Sequence, residues 1–263
     1  MKKYFAIAAI AVMAFSSSVI AGDKVVRMGT EGYYPPFNYF DASGKVIGFD
    51  IDIGNALCAE MQVTCEWVTT DWAGIIPALN SNKFDTIIAS MSITDERSKV
   101  VSFSAPYYFN GSQFIVAKDS GLGNGKPADL ADKVIGTQEG TLEVKTLEKF
   151  FPKSELRLYP KLDDSLLDLN TGRLDAVYAS QVVLGEWLAK ENGACCKFVG
   201  EPTRSDGNKG TGIAVRKDDT ELLAALDKAI AAIMANGTYA EIRARYFDFD
   251  IMAKPKTVSE FYK

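Results

Sequence analysis

From Val25 onward the chain alternates short, partly β-branched apolar runs with amphipathic helical stretches. It breaks off at the aromatic segment Tyr107-Tyr108-Phe109-Asn110-Gly111 and then begins again. This interrupted alternation constrains the fold more than any other feature. Strands joined through helices become parallel neighbours, so each half predicts a mostly parallel sheet with helices on its faces. In the first half Val25–Thr30, Cys65–Val68 and Thr86–Ser90 read as strands, and Gly48–Met61 and Gly74–Asn80 as helices. In the second, Ile115–Lys118, Val134–Gly136 and Leu174–Tyr178 are strands. Thr141–Phe150, Asp163–Asn170 and Gln181–Lys190 are helices. Glu221–Ala235 is a further helix, and Thr238-Tyr239-Ala240-Glu241 reads as a capping box for the next. A chain of 263 residues is long enough for two domain-sized cores.

The first residues read differently. Lys2 and Lys3 precede an apolar run from Tyr4 to Phe15, and Val19-Ile20-Ala21 offers a small-residue cleavage site. Residues 1–21 are therefore expected to be a secretory signal peptide, too short to span a bilayer. No cysteine follows at a position for lipid anchoring, so the periplasm is the expected destination. The formal charge of −5 becomes more negative without the leader's lysines, and the remaining basic residues are dispersed. That excludes a nucleic-acid partner and suits a cationic solute. The chain has no histidine, which removes Ser-His-Asp chemistry and histidine metal sites; no metal and no cofactor are expected. Gly121-Leu122-Gly123-Asn124-Gly125-Lys126 imitates a phosphate loop, but Pro127 stands where a hydroxyl is needed.

Chemistry gathers after the strand Thr86-Ile87-Ile88-Ala89. The chain turns small and hydroxylated at Ser90 and Ser92, then presents Arg97 just past a helix-start pattern, Thr94-Asp95-Glu96. Ligands of open α/β sheets sit at the carboxyl ends of strands, and an arginine fork matches a carboxylate bidentately. A surface ion pair beside two strand-end serines is the plainer reading of the same residues. Ser92-Ile93-Thr94-Asp95-Glu96-Arg97 resembles the ligand-carboxylate motif of polar amino-acid-binding proteins of bacterial ABC importers. The likeness extends to Tyr34-Pro35-Pro36-Phe37, Gly48-Phe49-Asp50-Ile51-Asp52, Gly172-Arg173-Leu174-Asp175-Ala176 and Lys209-Gly210-Thr211-Gly212. It runs from about Val25 to Asp250, and is nearest to lysine/arginine/ornithine-, histidine- and opine-binding members.

The resemblance implies a two-lobed periplasmic binding protein fold of type II, with a two-strand hinge near Asn110–Ser112 and Thr203–Asn208. The expected lobes are residues 22–110 with 205–263, and 111–204. It implies a monomer that captures a free amino acid or amino-acid derivative and delivers it to a membrane permease. It also implies a disulfide between Cys58 and Cys65, worth about 2.5 kcal/mol on the loop-entropy model. Adjacent Cys195 and Cys196 have no such counterpart and are read as reactive thiols, a vicinal bridge, or partners for something else.

By the same likeness Arg97, Ser92 and the backbone near Ser90 hold the ligand carboxylate. Thr141, at a helix N-cap, closes from the second lobe with Thr137 before it. Glu31 meets the cationic end of the ligand side chain between Tyr34 and Trp72, and Ala89 enlarges the pocket slightly. Where close relatives carry an aspartate for the α-ammonium, this chain has Ser180. Either Glu31 or a water replaces that anion, or the ligand is an opine with a substituted amine. Arginine, lysine or ornithine is the expected ligand, an opine the alternative. A dehydratase-type enzyme on the same fold is the rival of another class, with Glu31 its one obvious acid or base.

Overall fold

The computed structural model describes residues 24–262, so the expected leader lies outside the described residues. Two five-stranded sheets carry the chain. The first runs in the order Thr64–Thr69, Val25–Thr30, Thr86–Ile87, Ala214–Val215, Ser102–Phe103. The second runs Glu155–Tyr159, Val134–Gln138, Ala176–Ser180, Ser112–Ala117, Cys196–Thr203. In each sheet one strand opposes the other four: Ala214–Val215 in the first and Ser112–Ala117 in the second. These are the strands by which the chain enters a lobe from its neighbour. The connecting segments pair with each other, Tyr107 N–H donating to the Thr211 carbonyl at 3.0 Å and Thr211 N–H to that of Tyr108 at 2.9 Å. A two-stranded hinge between two mostly parallel lobes is the result.

Helix Phe49–Met61 shows how the first lobe is built. Phe49, Ile53 and Leu57 recur every four residues and are fully buried, a stripe that faces helix Thr220–Ala235 with its buried Leu226, Ile230 and Ile233. Each such side chain contributes roughly 1.5–3 kcal/mol by leaving water. A disulfide joins Cys58 at the end of this helix to Cys65 in the next strand, with Cα atoms 5.9 Å apart. Cys195 and Cys196 are bridged to each other, the vicinal option of the three that the sequence leaves open.

The helix also carries a buried carboxylate into the core. Asp50 is fully shielded from solvent, and its Oδ2 accepts from Asn38 Nδ2 at 3.0 Å, Ser90 N–H at 2.9 Å and Ser90 Oγ at 3.1 Å. Its Oδ1 accepts from the Tyr107 hydroxyl at 2.7 Å. Gly48 lets the chain deliver it: φ is 126°, and a Cβ there would fall 2.3 Å from the Phe37 carbonyl oxygen.

Three expectations are corrected. The strand expected over Thr86–Ser90 is regular only at Thr86–Ile87, because Asp50 holds Ser90 with a positive φ of 53° and bends the chain. The helix start at Thr94 yields only a 3₁₀ turn, Arg97–Lys99, with Glu96 at its N-cap and the Thr94 hydroxyl accepting from Arg97 N–H at 3.1 Å. The capping box at Thr238 does not form, since Gly237 takes the N-cap position and Thr238 is already helical in Thr238–Tyr246. The motif appears instead at Thr257 and Glu260, opening the short helix Val258–Phe261.

That last helix belongs to a tail that crosses the molecule. Arg204 N–H donates to the Lys256 carbonyl at 2.8 Å and Val258 N–H to that of Arg204 at 3.0 Å. Tyr262 then packs its ring on Phe150 and Phe151 of the second lobe, with centroids at 6.1 and 5.8 Å. Among the described residues no helix is long and apolar enough to cross a membrane.

Replacing Asp50 by alanine strands four buried or half-buried donors at once. Asp50→Ala is expected to lower unfolding free energy by about 3–5 kcal/mol, read as a shift in urea midpoint at unchanged slope.

Candidate functional site

Between the lobes lies a narrow cleft, whose empty space, open solvent included, amounts to about 530 Å³. Glu31, Tyr34, Trp72, Ala89, Ser90, Ser92, Arg97 and Thr141 all line it. The bend at Ser90 aims the chain into the opening and brings the turn Arg97–Lys99 to one end. There Arg97 Nη1 donates to the Ser92 carbonyl at 2.9 Å, and Nη2 reaches across to the Gly140 carbonyl at 3.2 Å. The guanidinium lies 5.1 Å from the centroid of the Trp72 ring, an arrangement that fixes a cation without neutralising it. Burial draws its pKa down to about 10, against the opposing pull of the Glu143 carboxylate, so Arg97 stays cationic at neutral pH. Ser92 Oγ accepts from Asn208 Nδ2 at 3.3 Å.

Glu31 lines the cleft directly after the strand Val25–Thr30 stops. It is 5 % exposed and accepts a hydrogen bond at 2.6 Å from Gln138 Nε2 on the opposite lobe. Burial pushes its carboxyl up to about 7, with the Gln138 hydrogen bond working against that rise and the Asp163 and Asp71 carboxylates adding to it. Tyr34 lines the cleft as well: Glu143 and Glu31 both reinforce the effect of burial in raising its phenol pKa. Its ring stacks on Phe37 at 6.1 Å, and Phe37 stacks on Tyr108 at 5.0 Å, so a chain of aromatic packing fixes its position.

Thr141 is the N-cap of helix Leu142–Phe150 in extended conformation, but its hydroxyl donates to the Gln138 carbonyl at 2.7 Å rather than capping an N–H. Thr137 and Ser180 stand behind the wall instead of lining it. The Thr137 hydroxyl donates to the Tyr178 carbonyl at 2.8 Å. Ser180 Oγ accepts from Asn110 Nδ2 at 2.5 Å and from Val183 N–H at 3.4 Å, as the N-cap of helix Gln181–Leu188.

Several lining residues escape the sequence reading. Asn110 and Asn208 fall in segments read only as hinge, and Gln138 ends a strand without a motif. Glu143 sits in the first helical turn, where an acidic residue is ordinary dipole matching; nothing in one sequence distinguishes it. In the structure its Oε1 accepts from Ser112 Oγ at 2.6 Å at the cleft wall. Among the described residues no cluster of three or more His, Cys, Asp or Glu side chains is placed to hold a metal ion. What the cleft offers is the Arg97 cation, the Glu31 and Glu143 carboxylates, and the rings of Tyr34 and Trp72.

Known proteins share this plan. A family model for bacterial extracellular solute-binding proteins, family 3, matches residues 26–249. An L-arginine-binding protein of Pseudomonas aeruginosa is 41 % identical, over 95 % of this chain and 98 % of its own. A lysine/arginine/ornithine-binding periplasmic protein of Escherichia coli is 37 % identical, over 90 % of this chain and 92 % of its own. Among solved structures, an ancestral arginine-binding protein bound to arginine superposes with a TM-score of 0.80 at 35 % identity. That match covers 85 % of this chain and 98 % of the other.

The raised Glu31 carboxyl has a consequence for the empty protein. Folded, it keeps its proton up to about pH 7, whereas the ordinary value is 4.5. Stability therefore falls as pH rises from about 4.5 to about 7 and levels above. Glu31→Gln, which keeps the oxygen that Gln138 binds, is expected to flatten that fall in ligand-free urea unfolding, and so to be the more stable form above pH 7.

Proposed function

The chain belongs to the bacterial extracellular solute-binding proteins of family 3, and on that premise we propose that it is the substrate-binding component of an ABC importer. It captures a cationic amino acid in the periplasm, arginine before lysine or ornithine, and delivers it to the membrane permease as a monomer. One observation carries the ligand class: a cation, Arg97, and a carboxylate, Glu31, line the same cleft as the rings of Tyr34 and Trp72. A zwitterion with a long cationic side chain matches that set of groups. Its carboxylate goes to Arg97, with Ser92 and the backbone near Ser90 assisting and Thr141 opposite. Its guanidinium goes to Glu31, where a carboxylate fork and a flanking ring favour it over a lysine ammonium.

Lobe 1 is assigned residues 22–110 and 205–263, the tail reaching across the hinge, and lobe 2 residues 111–204. Contacts such as Glu31–Gln138 and Arg97–Gly140 span the two and support a closed form that ligand stabilises. The protein acts without catalysis: the Glu31 carboxyl, raised to about 7, is committed to Gln138 and the ligand cation. Product formation from prephenate-like acids or amino acids incubated with pure protein would overturn that. A second reading, binding of an opine, draws support from Ser180, which brings no charge to the place where relatives carry an aspartate.

Isothermal titration with arginine, lysine, ornithine and octopine tests the ligand class, and absence of heat with all four would sink it. Arg97→Ala is expected to weaken arginine binding by about 3–5 kcal/mol, since a buried ligand carboxylate loses its partner. A pH dependence follows from Glu31. The cationic ligand requires the ionised carboxylate, so arginine affinity is flat above about pH 7 and falls below it, approaching tenfold per pH unit. Glu31→Gln should abolish that slope.

A further inference from the structure

Ser180 poses a question that the cleft answers. An α-ammonium buried beside Arg97 needs an acceptor, and Ser180 is poorly able to be one. Its oxygen already accepts from Asn110 Nδ2 and Val183 N–H, and it is 1 % exposed. An amino acid bears its carboxylate and ammonium on the same carbon, so their partners must stand side by side. Glu31 is instead tied to Gln138, and the carboxylate that acts on the Arg97 guanidinium is that of Glu143.

We propose that Glu143 supplies the anion for the ligand's α-ammonium, taking over from the second lobe's strand end the role that Ser180 cannot fill. The proposal rests on the reading of the protein as a cationic amino-acid binder. Glu143 lines the cleft, and Ser112 Oγ donates to its Oε1 at 2.6 Å, fixing the side chain while Oε2 stays available. Its carboxylate lies close enough to Arg97 to work against the effect of burial on that guanidinium. Asn110 adds a second acceptor: its Oδ1 is buried without a partner among the described residues, while its amide is held on Ser180. On this proposal Arg97 with Glu143 receives a free amino acid's head group, and Glu31 with Gln138 its side-chain cation. The arrangement also selects against opines. Their amine bears a second carboxylate on the next carbon, which would be driven against Glu143 in a site of low dielectric.

The test compares arginine with its 2-hydroxy analogue, argininic acid, which keeps both ends but lacks the α-amine. Glu143→Gln is expected to weaken arginine at least ~30-fold more than the analogue. Glu31→Gln should weaken both alike. The double variant Glu143→Gln/Ser180→Asp should recover arginine binding, showing that the charge and not the helix was lost. It should do so with thermal unfolding close to the parent. Octopine should bind the parent more weakly than arginine, and Glu143→Gln should narrow that gap. Equal losses for arginine and analogue in Glu143→Gln, or octopine binding the parent as tightly as arginine, would overturn the proposal while leaving the transport reading intact. A parent that binds no cationic amino acid ends both.

Discussion

The cleft depends on a carboxylate that never touches it. Asp50 sits in the core of the first lobe and gathers donors from three separate stretches: Asn38, Ser90 and Tyr107. Ser90 leads into the ligand-facing bend, Tyr107 opens the hinge, and Asn38 in turn accepts from Gly32 N–H at 2.9 Å, just past Glu31. One buried anion thereby ties together the segments that lead to Glu31 and to the Ser90 bend with the segment that joins the lobes. A charge so deeply placed is costly in itself, and burial does raise its pKa. Four hydrogen bonds offset that cost, and what remains is specificity of arrangement rather than surplus stability.

Contacts between the lobes differ in kind. Lys145 with Glu96, and Lys149 with Asp206, are exposed pairs, the sort that contributes little and is screened by salt. Glu31 with Gln138 is a buried contact, and Arg97 reaches the Gly140 carbonyl in a more exposed one beside the cleft. On the proposed ligand placement, the contacts that join the lobes would be made by groups that the ligand itself engages, coupling occupancy to shape without a separate latch. Gly140 takes part through its backbone: with φ at 68°, it lies so that a Cβ would sit 3.5 Å from Trp72 Nε1.

Much of this was legible in the chain. The broken alternation marked two sheets and the place where one gives way to the other, because hydrophobic periodicity is a local signal. Arg97 with Ser90 and Ser92 was legible as a strand-end cluster. What escaped depends on partners far away in sequence. The bend at Ser90 is imposed by Asp50, forty residues earlier, and no local pattern encodes it. Thr137 and Ser180 read as lining residues, yet their hydroxyls are taken up by Tyr178 and by a helix N-terminus. Glu143 was hidden by its ordinariness. The capping pattern at Thr238 was displaced by Gly237, which accepts the left-handed conformation at lower cost and takes the cap first.

The tail changes what the two ends of the molecule can report. Lys24, the first described residue, leads directly into a strand of the first sheet, whereas Tyr262, the last, lies against Phe150 and Phe151 on the other lobe. The two positions are thus anchored on different lobes. A fluorophore pair attached at these two positions would be a built-in caliper for lobe closure, with no probe near the cleft. By the same token, shortening the tail before Thr257 would return the far end to the first lobe and leave such a gauge blind.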